Sequence, residues 1–212
     1  MNTIEYYYSA HSAYAYIGAS AFYDIAAAHD ARIVHRPYDL RAAITALGGA
    51  VGNKTDAHKA YYFGREIDRW AEWRGVPILD KAPDTHAHDF KHANRMIIAT
   101  LDANRTRESN DATDRLSLAI LTAHWTHGVD LADQSTLIAI ADEAGLDGKT
   151  LADRAETPEV SAAHDANTAA AIARPVFGSP TYIVDGDMFY GQDRLEMIDR
   201  ALKRPFAQPS AP

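Results

Sequence analysis

The chain has 212 residues, 47% of them hydrophobic, a net charge of −8 and no cysteine. That composition supplies a sizeable core and excludes a disordered chain, and the acidic balance without a basic stripe argues against nucleic-acid binding. The missing cysteines remove disulfides, thiolate metal ligands and a cysteine nucleophile of the protein's own; with no basic leader before Tyr6 and no apolar run near ~20 residues, the expectation is a cytoplasmic protein without a membrane span.

Taken in chain order, Thr3 to Tyr8 reads as a strand that breaks at Ser9-Ala-His-Ser12. From Ser12 the apolar positions Tyr14, Ile17, Ala21, Ile25 and Ala28 follow helical spacing, with Ser12 placed to cap the helix start. Arg32 to Pro37 is a second strand, and a β-α-β unit requires a parallel pair buried on both faces. From Arg41 to Arg174 the pattern is nearly all helical. Ala60, Phe63, Ile67 and Trp70 predict one face of a helix that stops at Gly75 with Pro77 beyond it. Ser135 to Ala144 stops in the same way at Gly145, and Thr157-Pro158-Glu159 is an N-cap followed by proline in the first turn.

Strand signal returns at Pro180 to Val184, followed by Asp185-Gly186 and Met188 to Tyr190, the short-range signature of a tight hairpin. Gln192 to Leu202 supplies a last amphipathic helix, and Pro205, Pro209 and Pro212 mark a frayed tail. The order β-α-β, helical insert, β-β-α fits an α/β, thioredoxin-like fold with a large all-helical insertion. The expected organisation is a discontinuous thioredoxin-like domain, 1–40 with 175–203, an inserted helical domain, 41–174, and a tail, 204–212.

Two stretches carry a resemblance: Val176 through Leu195, reading VFGSPTYIVDGDMFYGQDRL, and Ser12 through Gly18, reading SAYAYIG. Together they resemble the DsbA-like thioredoxin superfamily, and within it the 2-hydroxychromene-2-carboxylate isomerases and their relatives, the kappa-class glutathione transferases. Asn53, Lys59, Arg65 through Ala71, Gly75-Val-Pro77 and Asp142 through Leu146 match as well, so the resemblance covers nearly the whole chain. In the oxidoreductase branch this turn carries Cys-x-x-Cys; here it resembles Ser12-Ala13-Tyr14-Ala15. Thiol–disulfide exchange needs an attacking thiolate, so the chain cannot be a disulfide oxidoreductase by itself.

In the isomerase and kappa branches, the resemblance implies, the serine donates a hydrogen bond to the thiol of bound glutathione. A thiol of pKa ~8.5 is only a few per cent ionised at neutral pH, and lowering it by about two units requires ~2.7 kcal/mol of preferential stabilisation. A helix N-terminus offers roughly 0.3–2 kcal/mol to an anion and a hydrogen bond to a charged group ~1.5–3 kcal/mol, so the two suffice together. The resemblance further implies that Ser179-Pro180 is a cis-proline turn pairing with the cysteinyl backbone of glutathione. It places Gln192 and Asp193 at the γ-glutamyl end, and brings Asn53 and Lys59 to the tripeptide from the insert. Read from the residues alone, Ser12, Gln192 and Asp193 are helix-capping positions, Ser179-Pro180 is an ordinary turn, and Lys59 is a solvated lysine.

The expected activity is a glutathione-dependent cis-trans isomerisation of 2-hydroxychromene-2-carboxylate, or a related small aromatic carboxylate, in naphthalene-type catabolism. The family implies a homodimer and no metal. Lys59 or Lys54 is the candidate partner of the substrate carboxylate. A kappa-like glutathione transferase or peroxidase is the alternative enzyme, and a non-catalytic thioredoxin-fold binding module the alternative of a different class. Three positions depart from the family pattern: Ala13 where proline is usual, Ser9 where aspartate often stands, and Pro175 after Arg174. A serine hydrolase through His11 and Ser12 fails because adjacent side chains diverge and no Gly-x-Ser-x-Gly elbow is present. His86, His88, Asp89 and His92 sit in polar sequence that reads as a solvated segment rather than a metal site.

Overall fold

The computed structural model describes residues 2–49, 55–101 and 107–207, the side chains of 107–110 excepted. Strand β1 (Thr3–Tyr8) leads into helix α1 (Ala13–Ala28), which returns to β2 (Arg32–Pro37) lying parallel to β1. The chain then leaves the sheet through α2 (Leu40–Ala46), α3 (Asp56–Ala60), α4 (Glu66–Arg74), α5 (Lys91–Ala99), α6 (Arg107–His127), α7 (Gln134–Glu143), α8 (Gly148–Ala155) and α9 (Pro158–Ala173). It comes back as the antiparallel pair β3 (Thr181–Val184) and β4 (Asp187–Tyr190), and ends in α10 (Leu195–Lys203). The sheet order β2-β1-β3-β4 makes a mixed sheet in which β1 and β3 are central. This is the thioredoxin-like arrangement with a helical insertion that the element order predicts.

The tyrosine run of β1 explains how the sheet is packed. Successive side chains point to opposite faces. Tyr6 and Tyr8 face α1 and Tyr7 faces away. Tyr6 stacks between Tyr8, with ring centroids 4.1 Å apart, and Tyr182 of β3 at 5.2 Å, and all three are buried. Tyr7 packs with Tyr38, Ala171 and Val176 in a smaller second core. The Tyr8 hydroxyl meets His35 Nδ1 at 2.9 Å, and His35 Nε2 meets Asp114 of α6 at 2.7 Å, which ties the longest helix to the sheet by a polar thread.

The punctuation behaves as local chemistry requires. Thr157 caps α9 with Pro158 in its first turn, and Gly75, at φ 67°, ends α4. Asp185 and Gly186 both take positive φ, 50° and 87°, which is the geometry of a two-residue hairpin matching the strand twist. Three sequence expectations need correction. Of the apolar stripe expected of α1, Ile17 is buried, Tyr14, Ala21 and Ile25 are half-buried against the core and Ala28 is exposed; Ala15, Ala19, Phe22 and Ala26 are buried as well, because the helix is covered by Tyr6 and Tyr182 of the sheet on one side and by α4, α6 and α10 on others. Phe63 and Ala60 are exposed, since residues Tyr61–Arg65 form a π-helical turn between α3 and α4 that changes which side chains face the body. The final helix also begins one turn later than expected, after a 3₁₀ turn over Gln192–Arg194. Among the described residues, no helix is long and apolar enough to cross a membrane.

Candidate active site

The turn between β1 and α1 is closed by three serines. Ser12 donates its N–H to Ser9 O at 3.0 Å, and its Oγ accepts from the Ala15 N–H at 3.3 Å, so it is the N-cap of α1. Its own hydroxyl donates to Ser179 O at 3.1 Å, while Ser179 Oγ accepts from the Ser9 N–H at 3.1 Å. Ser179 therefore grips the turn from both sides, and the bond it makes to Pro180 is cis. Pro180 O in turn accepts from the Gly191 N–H at 2.9 Å, which fixes the start of the 3₁₀ turn beside the same corner. From behind, Asn94 of α5 accepts from the Ala10 N–H and donates to Tyr38 O, both at 2.9 Å.

With Ser12 occupying the Ala15 donor, the N–H groups of Ala13 and Tyr14 in the first turn of α1 have no partner among the described residues. Two free donors and the positive end of a sixteen-residue helix converge where Ser12 presents its hydroxyl. A corner of this chemistry can accept an anion, and the residues present fit the thiolate of a bound thiol. Donating to a sulfur requires Ser12 to turn its O–H away from Ser179 O.

Beside this corner lies a cleft of about 220 Å³ whose walls include Tyr14, Tyr62, Glu66, Ser179, Tyr190 and Asp193. The Tyr14 hydroxyl donates to Tyr62 O at 2.5 Å, and the hydroxyls of Tyr62 and Tyr190 stand 3.4 Å apart. Burial first, then nearby Glu66, pushes the Tyr14 phenol up; burial likewise raises Tyr62. Both are therefore neutral hydroxyls at neutral pH. Arg69, bonded at 2.6 Å, holds the Glu66 carboxyl below its usual range. Asp193 pairs with Arg194 at 2.6 Å on the rim. Gln192 is buried and locked from the side: Arg74 donates to its Oε1 and to its backbone O, each at 3.0 Å. It reaches α1 only because residue 18 is glycine, where an added Cβ would lie 2.5 Å from Gln192 Cβ.

Of the residues singled out in the sequence, Ser12, Ser179, Pro180, Gln192 and Asp193 thus meet at one corner. Lys59 does not join them. It lies on the exposed face of α3, 3.5 Å from Asp56. Asn53 and Lys54 lie outside the described residues. His11 turns the other way from Ser12, bonding Ser9 Oγ at 2.8 Å and stacking on Phe90 at 3.8 Å. His86 bonds His124 at 3.0 Å, His88 bonds Asp130 at 2.8 Å and His92 pairs with Glu156 at 2.6 Å, so these side chains disperse to separate partners. Tyr62 and Glu66 join Trp70 in the cleft wall, a grouping that helical spacing does not predict because the π-helical turn at Tyr61–Arg65 shifts which side chains face the cleft.

A family model described as a DSBA-like thioredoxin domain matches residues 3–203. A protein of Sphingobium xenophagum named 2-hydroxychromene-2-carboxylate isomerase is 26% identical over 204 residues, covering 94% of this chain and 97% of that one. The solved structure of a 2-hydroxychromene-2-carboxylate isomerase superposes with a TM-score of 0.80 at 22% identity, over 95% of both chains. The cytosolic disulfide reductase DsbM of Pseudomonas aeruginosa, solved with GSH, superposes with a TM-score of 0.61 at 16% identity, over 96% of this chain and 93% of that one.

Proposed function

We propose that this chain, which belongs to the DSBA-like thioredoxin domain family, is a glutathione-dependent isomerase of 2-hydroxychromene-2-carboxylate or a closely related aromatic acid. The name borne by its relatives supports the reaction, and the serine corner supports the cofactor. The observation that carries the reading is Ser12 itself: a hydroxyl at the N-terminus of α1, where the redox branch keeps its cysteine, with two unused N–H donors behind it. Such a site stabilises a thiolate without supplying one, so the thiol must arrive with the cofactor.

Bound glutathione would supply a thiolate for reversible addition to the conjugated enone that opening of the hemiketal ring exposes, leaving the carbon–carbon bond single and free to rotate until the thiolate departs. The chain's own residues do the rest. Ser12 and the Ala13 and Tyr14 N–H groups hold the sulfur ionised. Ser179 and Pro180 position the cysteinyl part, while Asp193, on the rim of the cleft, holds the γ-glutamyl ammonium. Gln192 shapes that end through its bonds to Arg74. Tyr14 and Tyr62, kept protonated by burial, line the cleft as neutral phenols.

The test is turnover of 2-hydroxychromene-2-carboxylate to trans-o-hydroxybenzylidenepyruvate with and without glutathione. Turnover that depends on glutathione and falls at least about a hundredfold in Ser12→Ala supports the reading, a loss of the size expected when one donor to a developing anion is removed. Glutathione-dependent attack on an aryl halide or a hydroperoxide, without isomerisation, would replace it with a transferase or peroxidase.

A further inference from the structure

A second concavity flanks the serine corner on the side away from the tyrosine cleft. It is an open basin of about 840 Å³ whose lining includes Asp39, Arg41, Thr45, Phe90 and Lys91. Its connection to the corner is direct. The Phe90 ring is a wall of the basin and stacks on His11, the residue before Ser12. Tyr38, the residue before Asp39, donates to Gly178 O at 2.9 Å, just ahead of Ser179. Basin and cleft thus reach the same turn from opposite flanks.

Two carboxylates, Asp39 and Asp89, and two cations, Arg41 and Lys91, line the basin, and one ion pair is closed between them. Lys91 pairs with Asp39 at 3.2 Å, and Asp39 is further engaged by the Ala42 N–H at 3.0 Å as the cap of α2. Asp89 accepts from the Lys91 N–H at 2.9 Å. Arg41 has no ion pair among the described residues. Its guanidinium lies 5.0 Å from the centre of the Phe90 ring, steadied by two carbonyls, Ala87 O and His86 O, each at 3.0 Å. Those bonds use two of five N–H donors and leave the positive charge without a counter-ion.

We infer that Arg41, held over the buried Phe90 ring, is the seat of the substrate carboxylate, and that the basin receives the acid end of an aromatic keto acid. This rests on the isomerase reading and names the specificity determinant of that same site. A planar guanidinium binds carboxylate in a paired fork, and the buried Phe90 ring beneath it holds the fork in place, so the seat selects a ligand by its carboxylate. Lys59, the lysine marked in the sequence, already faces Asp56.

The experiment compares wild type, Arg41→Gln and Arg41→Lys with trans-o-hydroxybenzylidenepyruvate and its neutral methyl ester. Binding is read by calorimetry without glutathione, and KM in turnover with it. Arg41→Gln is expected to weaken the acid about tenfold or more, as loss of a charge-assisted hydrogen bond does, while the ester and glutathione bind as in wild type. Arg41→Lys recovers part of the loss. Equal weakening of acid and ester means that Arg41 only supports the loop through His86 O and Ala87 O, and overturns the inference; so does unchanged acid affinity. Absent turnover with intact acid binding would sink the isomerase reading alone, because the calorimetric comparison still decides Arg41.

Discussion

His11 and Ser12 are neighbours in the chain and face opposite sides of one turn, and the two sides are built on different principles. Around His11 the rings interlock: Phe90 stacks on it, His86 lies 5.1 Å away, and Trp125 donates its indole N–H to His11 O at 3.2 Å. His86 and His124 extend the cluster, ending at Val129 O, 2.9 Å from His124 Nδ1. Around Ser12 there are instead exchangeable partners: a hydroxyl on a carbonyl, two unused N–H groups and an adjoining cleft. The His11 side holds the turn in place, and the Ser12 side can trade a protein partner for the sulfur of a ligand.

Damage on the His11 side is expected to fall on stability. Phe90→Ala removes the stack on His11 and the surface beneath Arg41, and is expected to cost about 3–5 kcal/mol, as truncation of a buried aromatic does. Urea unfolding measures it, and a loss below about 1 kcal/mol would show that the cluster does not brace the turn.

Acid should reach the same side next. Burial pushes the His86 imidazole down to about 4, and burial also lowers His11 and His124. The unfolded chain takes up protons on these rings near pH ~6.5 while the folded chain resists. Unfolding therefore gains protons in this window. Stability is full above about pH 6.5, falls as pH drops toward 4, and levels off below the folded value. Thermal midpoints should decline across the upper part of that range, before carboxylates titrate, and His86→Gln should flatten the decline.

A smaller effect is expected at the seam between α1 and the cleft. Gly18→Ala drives a methyl group into Gln192, whose Cβ would be 2.5 Å away, at a cost of about 1–3 kcal/mol. Because Gln192 and Asp193 move with that turn, glutathione affinity should fall by more than stability alone explains; unchanged affinity would separate the 3₁₀ turn from the cofactor. Smallest for stability is Ser12→Ala, expected to cost about 1 kcal/mol as a lost helix cap. Its effect on turnover should be far larger, and that disparity is what distinguishes the Ser12 side from the His11 side.

What could be read from the sequence was what depends on neighbours in the chain. Ser12 as a cap, Gly75 as a stop, Thr157-Pro158 as a start and Asp185-Gly186 as a tight turn all follow from local backbone chemistry, and so does the order of elements. The family resemblance brought Ser179, Pro180 and Asp193 to the same corner as Ser12. The rest depended on distant packing. The π-helical turn at Tyr61–Arg65 leaves Phe63 outside while Tyr62 lines the cleft, a change no period of 3.6 predicts. The histidine cluster joins residues 11, 86 and 124, and Arg41 acquires meaning only from Phe90, forty-nine positions on.

The central claim is that Ser12 holds the sulfur of another molecule. Glutathione should be titrated calorimetrically into wild type and Ser12→Ala, with thiolate ultraviolet absorbance followed from about pH 5 to about pH 9. The account predicts that wild type binds and lowers the bound thiol's pKa by about two units, and that Ser12→Ala leaves it near its ordinary ~8.5. Absence of wild-type binding at millimolar glutathione, or a full shift retained in Ser12→Ala, would contradict it.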